Sequence, residues 1–338
     1  MSISTMSSSV SNKLLIICGP TATGKTELAL SLAKKFHGEL VSADSRQIYI
    51  GMNIGTGKDL PVSAKFKVQS AKFKLKEEYY QYGRYDVEGV PLWLLDVARP
   101  DQEFSVAHYH TLATHVIQDI FSRGKLPIVV GGTGLYIKSL LEHIPTMSVP
   151  QDLKLRETLS TKTTTQLQHI LQEKDRSKFE SMNNSDRHNP RRLVRAIEVA
   201  DQGLPLQIRR GSPYEFNTLE IGLSVSPEQQ VKRIKDRVHK RVGQGIIEEV
   251  KTLLKNGYSW DLPSMQTLGY KEWQFHIEGK KTQADTLEEW IQNELHYAKR
   301  QMTWFKKQSN ITWYSSSNSG TNEMIEQTVG KWYTKISF

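Results

Sequence analysis

The stretch GPTATGKT, residues 19–26, follows the apolar run KLLIICG and precedes TELALSLAKKF, whose apolar residues recur at helical spacing. A glycine-rich turn of the pattern Gly-x-x-x-x-Gly-Lys-Thr between a strand and a helix is a P-loop. Its backbone N–H groups and the helix N-terminus can surround phosphate oxygens, its lysine can reach the outer phosphate and its threonine can ligate Mg²⁺. The predicted phosphate-binding residues are Gly19, Pro20, Thr21, Ala22, Thr23, Gly24, Lys25 and Thr26.

Further strands and helices alternate along the first part of the chain. GELVSADS, PLWLLDV (91–97) and LPIVVGG (126–132) read as strands, and SVAHYHTLATHVIQDIFSRG reads as a helix. This order predicts an α/β fold, a P-loop NTPase-like parallel sheet flanked by helices. Residues 145–215 are polar and helical in pattern, which predicts a helical insertion domain.

The predicted domains follow from these patterns. Residues 1–12 are rich in serine and are expected to be a disordered tail. Residues 13–144 and 216–315 are predicted to form the catalytic core, with 316–338 as a C-terminal segment. Within the core, Ser226 is expected to cap a helix with Pro227 at its first position. A last long helix is predicted over about residues 286–308.

Composition limits the class of protein. The 338 residues carry a net charge of +9, 38% hydrophobic residues and one cysteine, Cys18, which reads as a small core residue. The apolar run 14–18 is too short for a signal sequence or a membrane span, so a cytoplasmic protein is expected. Basic clusters at 187–195 and 232–241 favour a polyanionic partner, although a solvated helix face would look the same.

Three features stay open on residues alone. Asp44 ends the second predicted strand, so its carboxylate should face the phosphate loop, as a Mg²⁺ ligand, a helix cap or a general base. Arg233, Arg237 and Arg241 recur every four residues and share one helix face, either as surface charge or as ligand contacts. Residues 64–76 alternate lysine with apolar residues around Gln69-Ser70, which predicts a surface hairpin that is either solvated or in contact with phosphates.

Six blocks together resemble one family. GPTATGKTELAL, VSADSRQIYIGMNIGTGK, LPIVVGGTGLYIKSLL, RHNPRRLVRAIEV, MQTLGYKEW and KRQMTWFKK occur in the order found in the tRNA dimethylallyltransferases, also called tRNA isopentenyltransferases. The resemblance spans roughly residues 13–308 and is closest to the bacterial form. It implies transfer of a dimethylallyl group from dimethylallyl diphosphate to N6 of the adenine adjacent, on the 3′ side, to the tRNA anticodon.

The resemblance also implies roles for individual residues. Lys25, Thr26 and Mg²⁺ would stabilise the leaving diphosphate, Asp44 would be the general base, and Thr133 and Arg237 would lie near the reacting centre and the diphosphate. The target adenine would be extruded from the anticodon stem-loop and read by residues 44–47. The implied tRNA contacts are Asp44, Ser45, Arg46, Gln47, Arg191, Arg192, Leu193, Val194, Arg195, Gln266, Gly269, Tyr270, Lys271, Lys299, Arg300, Gln301, Thr303, Trp304 and Lys306.

The chain departs from the family pattern in three places. The segment between GTGK and PLWLLDV is longer than usual, and VPLWLLDV stands where a histidine-containing stretch is expected. No Cys-Cys-His-His cluster follows residue 308, so no zinc finger is expected there. An adenylate isopentenyltransferase, a P-loop kinase of a small metabolite and a non-catalytic tRNA-binding protein are the alternatives. A monomer that uses Mg²⁺, tRNA and dimethylallyl diphosphate is expected, with no membrane partner.

Overall fold

A computed structural model describes residues 12–75, 78–203 and 216–334. The predicted tail, except Asn12, and the end of the predicted insertion therefore lie outside the described residues. The chain divides into two compact units, residues 1–141 with 214–338, and residues 142–213. The insertion was predicted at 145–215.

The larger unit is built on one mixed sheet. The described strands are β1 (Lys13–Cys18), β2 (Gly38–Ser42), β3 (Phe66–Leu75), β4 (Glu78–Val87), β5 (Val90–Trp93), β6 (Leu126–Gly131), β7 (Asn217–Ser224) and β8 (Ile311–Ser315). They lie in the spatial order β3-β4-β5-β2-β6-β1-β7-β8. The pairs β3–β4 and β4–β5 are antiparallel, and every later pair in this order is parallel.

Helices cover both faces of this sheet, as alternating buried residues of the central strands require. Leu14 and Ile16 of β1 face one apolar cluster, and Leu15 and Ile17 face the other. The helices of this unit are α1 (Lys25–Lys35), α2 (Val106–Ser122), α3 (Gly134–Leu141), α9 (Pro227–Gly243), α10 (Ile246–Lys255), α11 (Gln274–Ile277), α12 (Gln283–Phe305) and α13 (Thr321–Thr334). The predicted α/β fold class is confirmed.

The smaller unit is helical within its described residues. Its apolar core includes Leu167 and Leu171 of one helix against Leu193 and Ile197 of another. The helices are α4 (Leu153–Ser160), α5 (Thr164–Lys174), α6 (Arg176–Ser181), α7 (Asn184–Arg187) and α8 (Pro190–Asp201). Asparagine and threonine side chains cap several of them, including Asn189 at α8 and Thr163 at α5.

The predicted hairpin at 64–76 is wrong. Residues 66–75 form one continuous strand, β3, at the edge of the sheet, and its antiparallel partner is β4 rather than its own second half. Two register shifts, between Val68 and Ser70 and between Ser70 and Phe73, replace the expected turn. Such bulges change the side-chain phase of a strand without reversing it, so a break in alternation imitated a turn.

Two other element predictions need adjustment. The strand predicted over 91–97 ends at Trp93, because Leu94 and Asp96 take positive φ values of 65° and 54° that a strand cannot contain. The long helix predicted over about 286–308 begins at Gln283, capped by Thr282, and ends at Phe305. The predicted cap at Ser226, with Pro227 in the first turn of α9, is confirmed.

Candidate active site

The phosphate loop connects β1 to α1. Its backbone takes positive φ at Gly19 (132°), Ala22 (64°) and Gly24 (87°). A Cβ atom at Gly19 would lie 2.3 Å from the Leu223 carbonyl oxygen, so only glycine fits between the loop and β7. Gly24 precedes α1 without a side-chain cap, which leaves first-turn N–H groups available to an anion.

Hydrogen bonds hold this loop in shape. The Thr23 hydroxyl donates to the Pro20 carbonyl at 2.9 Å, and Lys25 Nζ donates to the same oxygen at 2.5 Å. Gln301 of α12 accepts from the Thr21 N–H at 2.9 Å and donates to the Gly132 carbonyl at 2.9 Å. Both ends of its buried amide are therefore used by backbone groups, so Gln301 supports the phosphate loop rather than presenting its amide on the surface.

A cavity of 410 Å³ opens at this loop. It collects residues from the carboxyl ends of β1, β2 and β6 and from α9, where ligands of parallel sheets bind. The predicted site residues that line it are Thr21, Ala22, Thr23, Gly24, Lys25, Thr26, Asp44, Arg46, Gln47, Arg237 and Gln301. Six of the eight predicted phosphate-loop residues thus share one cavity with Asp44 and Arg237, whereas Gly19, Pro20 and Thr133 do not line it.

Asp44 lies two residues beyond β2. Its Oδ1 accepts the Arg46 N–H at 3.0 Å, which closes a tight turn and directs the carboxylate into the cavity. Thr133 supports this turn from the adjacent β6 end, because its Oγ1 accepts the Ser45 N–H at 3.0 Å and lies 3.2 Å from the Ser45 hydroxyl. Neither Thr133 nor Ser45 lines the cavity, so Thr133 supports the Asp44 turn through Ser45, on the side away from the cavity.

The three α9 arginines differ in their surroundings. Arg233 is exposed and donates to the Ala22 carbonyl at 3.4 Å. Arg237 is half-buried in the cavity wall. Arg241 is 1% exposed. Its guanidinium fills the space beside Gly57, because a Cβ atom added to that glycine would lie only 1.6 Å from Arg241 Nη2. Burial lowers the pKa of Arg241 to about 10, with Arg237 adding to the effect. The burial of the three arginines thus increases along α9, from the exposed Arg233 to the buried Arg241.

The environment of Lys25 lowers its proton affinity. Removal from water is the largest cause, and the positive charge of Arg237 adds to it, whereas Asp44 opposes it. The pKa of Lys25 falls to about 8 from its ordinary value near 10.5. A bound polyanion would stabilise the protonated, positively charged form of Lys25, so the site is electrostatically suited to a diphosphate.

The implied tRNA contacts divide by exposure. Those with exposed side chains are Arg191, Arg192, Gln266, Lys271, Lys299, Arg300, Thr303 and Lys306. Leu193, Gly269 and Tyr270 are buried, and Val194, Arg195 and Trp304 are half-buried. Trp304 packs against Gly134, where a Cβ would meet its indole at 2.2 Å. The buried members therefore support packing, and only the exposed ones can present charge to a polyanion.

Two glycines let the loop containing GTGK and the loop containing TLGYK meet beside the cavity. A Cβ on Gly55 would lie 2.4 Å from the Tyr270 ring, and one on Gly269, whose φ is 95°, would lie 2.4 Å from the Gly55 carbonyl oxygen. The Tyr270 hydroxyl donates to Glu249 at 2.6 Å, and the same carboxylate accepts the Asn53 and Ile54 N–H groups at 3.0 Å. Residues 56–59, which follow directly, line the cavity, so the junction supports that part of its wall from behind.

Sequence reasoning missed several supporting residues. Lys58 is buried and donates to the Tyr49 carbonyl at 2.7 Å and to the Asp96 carboxylate. Glu294 and Tyr297 of α12 lie behind the cavity and contact Arg46. A glutamate among the apolar positions of a predicted helix was the available signal for Glu294, because a charge on a buried face needs a partner.

The cavity offers oxygen donors for a divalent cation. The Thr26 hydroxyl and the Asp44 carboxylate line one cavity, and oxygen donors of this kind suit Mg²⁺. Within the described ranges, His, Cys, Asp and Glu side chains form no group of three or more that could hold a metal ion. The residues therefore fit a cation whose coordination is completed by phosphate oxygens of a bound ligand. Across the described residues, no helix combines the length and apolar character needed to cross a bilayer.

Comparison with known proteins gives a consistent result. Residues 47–308 match the family model described as IPP transferase. The chain is 34% identical to a tRNA dimethylallyltransferase of Anoxybacillus flavithermus, over 95% of this chain and 97% of the relative. It is 37% identical to one of Pelotomaculum thermopropionicum, with 94% and 95% coverage.

Solved structures of tRNA isopentenyl and dimethylallyl transferases resemble this chain as well. The tRNA isopentenylpyrophosphate transferase of Bacillus halodurans superimposes with a TM-score of 0.65 at 32% identity, covering 95% of this chain and 97% of that one. A eukaryotic dimethylallyltransferase shares the fold with a TM-score of 0.74 at 24% identity, over 97% of this chain and 81% of that one. The family match begins at Gln47, so the phosphate loop and Asp44 precede it.

Proposed function

The chain belongs to the IPP transferase family, and we propose that it transfers a dimethylallyl group from dimethylallyl diphosphate to N6 of the adenine 3′ to the anticodon of tRNA. The observation that carries this proposal is one cavity lined by a phosphate loop, a carboxylate and buried arginines. Relatives at 34% and 37% identity over nearly the whole chain are named tRNA dimethylallyltransferases. The proposed setting is the cytoplasm, and the proposed working unit is a monomer.

The leaving-group half of the reaction uses the phosphate loop. As the allylic C–O bond breaks, negative charge develops on the diphosphate, and the loop N–H groups, Lys25 and Arg237, which line the same cavity, would stabilise it. Thr26 would hold Mg²⁺ with phosphate oxygens, and the ion would supply further charge neutralisation when bound. Positive groups fixed before the reaction need no reorganisation as it proceeds.

The nucleophile half needs a base. The N6 amine of adenine is a weak nucleophile because its lone pair is delocalised into the ring. Asp44 is the cavity carboxylate proposed to accept a hydrogen bond from this amine and take its proton as the C–N bond forms. Ser45, Arg46 and Gln47 follow on the same turn, so the segment that holds the base is also proposed to read the extruded adenine.

The assay that tests this function compares acceptors. The protein is incubated with labelled dimethylallyl diphosphate, Mg²⁺ and either unmodified tRNA or AMP, and label is followed into each acceptor. Label in tRNA is the expected result. Label only in AMP would indicate an adenylate isopentenyltransferase, and no label in either acceptor would contradict prenyl transfer.

Pyrophosphate affinity should fall as the pH rises through the pKa of Lys25. The free lysine loses its proton as the pH rises through about 8, and with it the charge that attracts the ligand. Calorimetry should show the Kd of pyrophosphate rising about tenfold from pH 7 to pH 9. Lys25→Arg is the control, because a guanidinium stays charged over this range. An equal pH dependence in Lys25→Arg would assign the effect to the ligand's own titration.

Removing two exposed cations of α12 should weaken tRNA binding. Lys299→Ala/Arg300→Ala should lose about tenfold in affinity, and the slope of log Kd against log salt should become shallower by about 1 to 2. Filter binding across salt concentrations measures both. The matched control is Lys251→Ala/Arg99→Ala, whose charges already pair with Glu248 at 2.8 Å and Asp101 at 3.1 Å. Unchanged binding at every salt concentration would place the tRNA contacts elsewhere.

A further inference from the structure

Glu294 is a fully buried carboxylate in the middle of α12. It lies one helical turn before Tyr297 and two turns before Gln301, so these three side chains form one stripe of the helix facing the site. Gln301 holds the phosphate loop through the Thr21 N–H. The same stripe thus reaches both the diphosphate end and the Asp44 end of the cavity.

Three guanidinium groups surround this carboxylate. Oε1 accepts from Arg46 Nη1 at 3.3 Å and lies 3.6 Å from Arg241 Nη1, and Oε2 accepts from Arg237 Nη2 at 3.3 Å. Burial alone would raise the pKa of Glu294, but Arg46, Arg237 and Arg241 lower it below its ordinary value. Glu294 is therefore ionised, and it is the shared counterion of the three arginines that line the cavity.

Arg46 lies between two carboxylates. Its guanidinium carbon is 4.6 Å from the centre of the Tyr297 ring, and its Nη1 donates to Glu294. On the other side its Nε is 3.7 Å from Asp44 Oδ1, beyond hydrogen-bond distance. This buried Nε has no hydrogen-bond partner among the described residues, so Arg46 has an unused donor close to Asp44.

We propose that Glu294 is a positioning residue: it holds the Arg46 guanidinium against Tyr297 and so leaves the Asp44 carboxylate open to the substrate amine. This inference rests on the proposed prenyl transfer, in which Asp44 accepts the proton. It assigns to α12 a part in the reaction that neither the phosphate loop nor the aspartate motif contains.

The physical reason is competition for one cation. Without the charge on Glu294, a buried guanidinium beside Asp44 would form a charge-assisted hydrogen bond with that carboxylate. A carboxylate paired in this way has fewer free lone pairs and is a weaker proton acceptor. Loss of Glu294 should thus lower turnover while leaving the positive charge around the diphosphate in place.

The test is a double-mutant cycle of wild type, Glu294→Gln, Arg46→Met and the double variant, assayed at saturating tRNA. Glu294→Gln should lower kcat about 10²-fold in the wild-type background and less than about threefold when Arg46 is already absent. The Kd of pyrophosphate should not weaken. Glu288→Gln, an exposed glutamate of the same helix, is the matched control and should behave as wild type.

Each result decides the inference. Equal costs of Glu294→Gln in the two backgrounds, or a loss of pyrophosphate affinity parallel to the loss of kcat, would overturn it. If Glu294→Gln alone does not fold, the comparison of Arg46→Met with the double variant replaces it. A difference in kcat above about tenfold between these two would also overturn the inference.

A crystal structure adds a readout that needs no activity. In Glu294→Gln, an Arg46 nitrogen should move to within about 3 Å of an Asp44 oxygen, and an unchanged separation contradicts the proposal. Wild-type protein that transfers no prenyl group to tRNA would refute the proposed function, whereas the structure would still decide the arrangement of Arg46.

Discussion

Asp44→Asn should lower the rate of prenyl transfer about 10³-fold, within the range of a positioned general base. The amide matches the carboxylate in size, and its oxygen can still accept the Arg46 N–H that closes the turn. It cannot take a proton from the adenine amine. Single-turnover transfer with tRNA already bound isolates this loss from binding.

Binding measurements complete that prediction. The affinity of Asp44→Asn for tRNA and for pyrophosphate should stay within about threefold of wild type, because the loop, Lys25 and the arginines are unchanged. Asp101→Asn, an exposed aspartate paired with Arg99, is the matched control. A rate for Asp44→Asn within fivefold of wild type would remove Asp44 as the base.

Lys25→Met should be the second large loss, about 10³-fold in kcat/KM for dimethylallyl diphosphate. Methionine keeps most of the side-chain volume but removes the charge that faces the diphosphate. The loss should appear in pyrophosphate affinity as well as in turnover, since the leaving group carries the charge both before and after the bond breaks. Calorimetry and initial rates measure the two effects.

Lys34→Met provides the control for that variant. Lys34 lies on the same helix, is exposed and pairs with Glu88 at 2.6 Å, so its loss should change neither quantity measurably. Retained pyrophosphate affinity in Lys25→Met, with the loss confined to tRNA binding, would show that the loop binds something other than the diphosphate.

The parts of the fold that sequence could predict are those set by local pattern. The strand, turn and helix around Lys25 follow from apolar spacing and glycine positions, and the start of α9 follows from Ser226 and Pro227. The broken alternation in β3 predicts a turn where the structure has register shifts, because a bulge and a turn interrupt a strand pattern in the same way. Local pattern thus identifies elements better than it identifies their partners.

The candidate site shows the same limit. Motif and resemblance point to Lys25, Asp44 and Arg237, and these residues line one cavity. They do not point to Glu294, because its contacts depend on three arginines that approach it from two other segments of the chain. Tyr270 was placed among the tRNA contacts, yet it is buried against Gly55, which no spacing rule reveals.

The contact between Gly55 and Gly269 restricts how this protein can change. Each glycine occupies space that the other loop would need if a side chain were added, so a first substitution at either position meets backbone atoms or a buried ring. Neither position can vary alone without separating the two loops. Sequences that diverge from this protein should therefore change at the exposed residues around the junction and keep both glycines together.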